Sequence, residues 1–129
     1  MDSKRWQAFA KTTLKALGKD SSSIEIAFVS NRQIRELNKR FRGVNQATDV
    51  LSFPALYEKF ERSAELNLGD VAISVERAAS QAHESGLEFD DEVAQLILHG
   101  VLHLCGYDHE TDNGEMNRLE LRLRRRLGI

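Results

Sequence analysis

His99 and His103 lie four residues apart, a spacing that on a helix sets both imidazoles on one face within reach of a single metal ion. His109 follows six residues later, an offset from which a straight helix cannot bring a third imidazole back to the pair. The chain must turn, and Gly106 stands where the turn is needed, because glycine takes positive φ without a Cβ penalty. The pattern H-x-x-x-H-x-x-G-x-x-H uses three of the four histidines in the chain. Three neutral imidazoles suit zinc, and three protein ligands leave the fourth tetrahedral position open, the layout of a catalytic site. One zinc ion per chain is therefore expected, its water made acidic enough to ionise near pH 7. His83 has no partner at ligand spacing and is expected on the surface. Cys105 falls roughly 160° around the helix from the histidines and is expected to be a small core residue.

A helix that holds two ligands must itself be held. Asp90, Asp91 and Glu92 place negative charge where a helix N-terminus favours it. From Val93 onward, Ile97, Leu98, Val101, Leu102 and Leu104 cover most of the helix circumference, which predicts a helix buried in the middle of its domain. Around it the spacing predicts a first helix from about Ser3 to Leu17, stopped at Gly18. A strand follows over Ile24–Val29. A helix then opens on a Ser30–Gln33 capping box and runs through Ile34, Leu37, Asn38 and Phe41. Val50–Phe53, ended by Pro54, and Asp70–Ser74 read as two more strands, and Ala55 to Asn67 as a loop with at most one helical turn. Ser74 caps a helix carrying Val75, Ala78, Ala79 and Ala82 that ends near Gly86. A last helix from about Gly114 turns Met116, Leu119, Leu123 and Leu127 inward. The expected fold class is α+β: a small mixed β-sheet surrounded by helices, with a central buried helix carrying the metal ligands.

The length of 129 residues fits one domain spanning the chain, and it suffices to bury a core without staples. A net charge of −2 excludes a global basic field, so any nucleic-acid contact must be local. One cysteine forms no intramolecular disulfide, and no apolar run approaches the ~18 residues needed to span a bilayer. The first residues lack the apolar stretch of a secretory signal. A cytoplasmic protein is expected, with no membrane partner.

The histidine spacing is shared with metzincin peptidases, but those carry a glutamate after the first histidine as general base, and here that position is Gly100. A second resemblance covers more of the chain. His99-Gly100-Val101-Leu102-His103-Leu104-Cys105-Gly106-Tyr107-Asp108-His109 resembles the H-G-x-L-H-L-x-G-Y-D-H signature of the YbeY family of bacterial endoribonucleases. Leu37 through Gly43 with Ala47 through Pro54, and Leu68 through Ser74, resemble two further blocks of that family, so the likeness runs from about Ile24 to His109. Phe41 stands where the family usually has tyrosine. Family members also generally open with a strand before the first helix, whereas this chain begins almost directly at the helix. That departure bears on strand number and not on the metal site.

The resemblance implies a zinc-dependent, single-strand-specific endoribonuclease that processes ribosomal RNA precursors. It implies action at the 3′ end of 16S rRNA and in ribosome quality control, with the small ribosomal subunit and its assembly factors as partners. A non-catalytic ribosomal-RNA-binding assembly factor is the second reading and a metallopeptidase the third. Within the family reading Arg42 is the candidate phosphate binder, because a guanidinium offers a planar fork of donors and stays charged. Asp70 and Asp108 are the candidate carboxylates for proton transfer to the leaving oxygen, and Asp108 equally suits an outer-shell partner of a ligand imidazole. Thr48, Asp49 and Ser52 can line the site, although capping and turn roles account for Thr48 and Asp49 as well. Arg118, Arg122, Arg124, Arg125 and Arg126 make the last helix basic, serving either RNA phosphates or the helix dipole and nearby acids such as Glu115 and Glu120.

Overall fold

A computed structural model describes residues 2–55 and 66–129 of the chain. The elements run α1 (Ser3–Ala16), β1 (Ser22–Val29), α2 (Asn31–Arg42), β2 (Val50–Pro54), β3 (Leu66–Ser74), α3 (Val75–Ser85), α4 (Phe89–Leu104) and α5 (Glu115–Leu127). Among the described residues the sheet has three strands in the order β1-β3-β2, with β1 parallel and β2 antiparallel to β3. This is the expected mixed sheet in an α+β fold. Of the expected loop from Ala55 to Asn67, the last two residues belong instead to β3, where Leu66 and Asn67 pair with Ser22 and Ser23. Pairing to β1 overrides the weak strand propensity of this polar stretch. The remainder of that expected loop, 56–65, lies outside the described residues. Gly69 is required by the β2 crossing: a Cβ there would fall 2.1 Å from the Phe53 carbonyl oxygen.

The two sheet faces are covered differently. Val71 and Ile73, wholly buried, turn toward α4 with Ile97 and Val101 in a core that also takes Trp6, Ala10 and Leu14 of α1. The opposite face carries Leu51 and Ala72, paired across β2 and β3, on the side where α2 packs and Ile34 is buried. The expected capping box opens α2: the Ser30 hydroxyl accepts from the Gln33 N–H at 3.1 Å, and the Ser30 N–H donates to Gln33 Oε1 at 2.8 Å. Phe41 departs from the inward pattern of that helix, since it sits in the last turn with 62% of its surface exposed.

α4 is buried almost all round, with Val93, Ile97, Leu98, Val101 and Leu102 wholly inaccessible. Gly100 explains how closely it seats on the sheet. A Cβ at that position would meet Val71 Cγ1 at 2.7 Å, and the Ser52 hydroxyl donates to the Gly100 carbonyl at 3.1 Å. Leu98 and Leu102 on its far side pack with Met116 and Leu123 of α5 in a second cluster. Cys105 is half-buried against the main core, and His83 is exposed on α3. No helix among the described residues is long and apolar enough to cross a membrane.

Candidate metal centre

The three histidines come together by the route the spacing requires. His99 and His103 project from one face of α4, and the helix ends at Leu104 with Cys105 as its C-cap. Gly106, at φ +95°, turns the chain back. The Gly106 N–H donates to the His103 carbonyl at 3.0 Å and the Tyr107 N–H to the Leu102 carbonyl at 3.1 Å, the paired bonds of a Schellman stop. His109 then arrives opposite the pair. One ligand nitrogen from each ring lies within 4.8 Å of the other two. His99 Nε2 and His103 Nε2 are 3.1 Å apart. Zinc–nitrogen bonds of about 2.0–2.1 Å put neighbouring ligands of a tetrahedron about 3.3 Å apart, so these two nitrogens already span one tetrahedral edge. The donor set and the geometry fit a zinc ion on His99, His103 and His109.

The surroundings favour ligand-competent rings. Burial lowers the His103 pKa, and the neighbouring His99 and His109 lower it further, against a backbone hydrogen bond with Tyr107 and the Asp108 charge. His103 is therefore neutral near pH 7, the form that binds metal. His99 turns its other nitrogen to α5, where Nδ1 is 3.3 Å from Glu120 Oε1. A carboxylate in that position fixes the tautomer and orientation of a ligand imidazole. Burial raises the Glu120 carboxyl, but the His99 hydrogen bond and the charges of His99 and Arg124 outweigh it, so the net shift is downward and the group is ionised. Arg124 Nη2 stands 3.7 Å from the same oxygen.

The imidazoles open into a cleft of about 490 Å³ whose far wall comes from the end of α2 and from β2. Arg42, Thr48, Asp49, Ser52 and Asp108 all line it. The Asp49 carboxylate accepts from the Val50 N–H at 2.8 Å and from the Gln81 amide at 3.3 Å, which ties the start of β2 to α3. Asp108 Oδ1 accepts from the Glu110 N–H at 3.0 Å and so shapes the turn that delivers His109. Asp70 is not brought to the cleft. Strand alternation sets it on the face opposite Val71, the residue that meets α4, and it is exposed there. A carboxylate within reach of a ligand ring is Glu120, which the sequence offered only as a partner for the arginines of α5. Arg124 does pair with it, one of the two expected alternatives for that helix, while Arg122, Arg125 and Arg126 are exposed. Glu120 had a legible signal. It occupies the inward stripe of α5 between Met116 and Leu123, where an acid needs a partner.

Comparison with known proteins decides the family. The family model described as endoribonuclease YbeY matches residues 1–128. The chain belongs to the YbeY endoribonuclease family. It is 42% identical over 108 residues to the Endoribonuclease YbeY of Campylobacter fetus, covering 84% of this chain and 77% of that one. It is 44% identical over 114 residues to the Endoribonuclease YbeY of Clostridioides difficile, covering 85% of this chain and 74% of that one. A solution structure of a Thermotoga maritima protein superposes with a TM-score of 0.61 at 28% identity, covering 95% of this chain and 81% of that one. The YbeY likeness therefore extends beyond the Ile24–His109 stretch to α1 and α5, and α5 is the helix that supplies Glu120.

Proposed function

We propose that this YbeY-family chain, residues 1–129 acting as one domain, is a zinc-dependent endoribonuclease that cuts single-stranded segments of ribosomal RNA precursors in the cytoplasm. The 3′ end of 16S rRNA and the quality control of ribosomes are its field of action, with the small subunit and its assembly factors as partners. The observation that carries the reading is the convergence of three imidazoles on a cleft whose opposite wall presents Arg42. His99, His103 and His109 would hold the zinc ion, which when bound supplies a Lewis acid beside the phosphate. Arg42 binds two phosphoryl oxygens and stabilises the charge that builds on them as the P–O bond breaks. Asp108 handles the proton of the leaving oxygen through Oδ2, the oxygen its turn does not use. Asp70 takes no part, being on the other face of the sheet.

A peptidase reading fails on space as well as on residue type. A glutamate at position 100 would have to place its Cβ into Val71 on the core side of α4. The test is RNA cleavage by purified protein with and without a chelator, beside His103→Ala. The expected outcome is cleavage of single-stranded RNA that chelator and mutation both abolish, with zinc restoring the first. Binding of RNA without metal-dependent cleavage would establish the assembly-factor reading instead.

A further inference from the structure

Among the described residues β2 is an edge strand, paired to β3 on one side only. The register says which backbone groups that pairing uses. The Ser74 N–H donates to the Asp49 carbonyl at 2.9 Å and the Ala55 N–H to the Leu68 carbonyl at 3.0 Å, both in line with the β2–β3 register. Alternate residues of an antiparallel strand exchange both bonds with the partner, so Asp49, Leu51, Phe53 and Ala55 turn their N–H and C=O groups to β3. Val50, Ser52 and Pro54 turn theirs to the free edge. Two observations agree. The Val50 N–H goes to the Asp49 carboxylate at 2.8 Å and not to β3, and Pro54, which has no N–H, sits where the ladder does not need one. Val50, Ser52 and Pro54 line the cleft together with His99 and His103, and the Ser52 hydroxyl, bonded to the Gly100 carbonyl at 3.1 Å, ties this edge to α4.

With the Val50 N–H occupied and Pro54 lacking one, the edge offers the cleft a single backbone donor, the Ser52 N–H, beside the carbonyls of Val50 and Ser52. No described residue pairs with these three groups. An extended peptide adding a strand uses donors repeated at every second residue, and here the next ones on both sides are missing. One nucleobase needs only a donor beside an acceptor, and every base carries the complementary pair on its Watson–Crick edge. We infer that the free edge of β2 is a base-reading subsite, where the Ser52 N–H and a carbonyl beside it bind the Watson–Crick edge of one unpaired nucleobase in the RNA strand whose phosphate Arg42 holds. The inference rests on the RNA reading and adds to it a source of single-strand preference, since a base paired in a duplex has already used that edge. The groups belong to a strand fixed by β3 and α4, so little ordering opposes the contact.

The test uses zinc-loaded protein and two fluorescein-labelled RNAs, an oligouridylate and the same oligomer methylated at every uracil N3, mixed by stopped flow so that binding is read before cleavage. Methylation blocks the Watson–Crick edge and leaves the phosphates and the ring faces in place. Wild type should bind the methylated strand about 5- to 150-fold more weakly, the range for one two-bond contact to a base edge. Ser52→Pro removes the N–H without breaking a ladder bond and should bind both strands alike. Ser52→Ala, which loses the same hydroxyl, is the baseline for its zinc content and melting temperature. If Ser52→Pro melts far below Ser52→Ala, an ester in place of the residue-52 amide removes the same N–H without the proline ring and should give the same result. If wild type does not distinguish the two strands, or if the variant without the N–H still does, the subsite is wrong and the RNA reading stands. Binding of a mixed-sequence single strand but not of oligouridylate overturns the subsite too. If wild type binds no single-stranded RNA, both readings fall.

Discussion

Glu120 and His99 meet at 3.3 Å, Oε1 to Nδ1, across the α4–α5 interface and 21 residues apart in the chain. The contact couples the last helix to the candidate metal centre. α5 is fixed on α4 by Met116 and Leu123, so the carboxylate reaches the ring without a search through rotamers of an open surface.

Glu120→Ala should therefore lower zinc affinity by roughly 10- to 100-fold, the usual cost of losing a partner behind a ligand imidazole. Competition with a chromophoric chelator measures it directly. Glu120→Gln keeps an acceptor oxygen but not its charge, and should fall between wild type and alanine. Wild-type affinity in Glu120→Ala would mean that the contact does not support the metal.

Gly100 should tolerate no side chain while Val71 stays as it is. Overpacking of a buried contact costs about 1–3 kcal/mol, so Gly100→Ala should melt several degrees lower than wild type. Val71 is β-branched and wholly buried, which leaves it little room to give way. Adding Val71→Ala makes that room, so the double variant should melt higher than the sum of the two single effects allows. Additive losses would place the strain elsewhere.

Where a residue's role is set by its own helix or strand period, the chain was legible. The Ser30–Gln33 capping box, the turn at Gly106 and the burial of α4 all follow from local spacing, and all three are found. Residues whose partners lie far along the chain were harder to read. Asp70 looked available as a carboxylate because the pattern that makes β3 a strand does not say which face meets α4. Phe41 fits an inward helical stripe, yet the last turn of α2 leaves it exposed. Leu66 and Asn67 pair only because Ser22 and Ser23 lie beside them, more than forty residues earlier. Glu120 is the intermediate case, anomalous on its stripe but without a named partner until α4 and α5 are brought together.

Glu92 should reduce stability at neutral pH. It is buried in the first turn of α4, and burial raises its pKa, with the Asp49 charge adding to the effect and Arg124 offsetting part of it. A carboxyl raised in the folded state binds its proton more tightly there than in the unfolded chain. Its favourable contribution is thus full below the unfolded value of about 4.5 and is lost as pH rises through the folded value. Glu92→Gln should melt higher than wild type at pH 7, and the gain should shrink as pH falls toward 4.5. A gain that is constant with pH would point to packing and not to the charge.

Arg42 separates chemistry at the phosphate from the holding of metal. It stands on the cleft wall opposite the histidines, on a different element from any of them, so its removal should leave zinc content and melting temperature as they are. If RNA is the substrate, negative charge grows on the phosphoryl oxygens as the bond breaks, and a guanidinium aimed there gains strength at that moment. Arg42→Ala should then lose RNA cleavage by roughly two orders of magnitude or more, the scale seen when one transition-state donor is removed. The loss should fall on kcat as well as on KM, because a merely electrostatic tether would weaken ground state and transition state alike. Arg42→Lys should recover only part of the rate, since an ammonium is a point charge and cannot make the two-pronged contact. Wild-type cleavage by Arg42→Ala would remove Arg42 from the mechanism while leaving the metal centre intact. Loss of zinc together with activity would show instead that Arg42 supports the fold of the site.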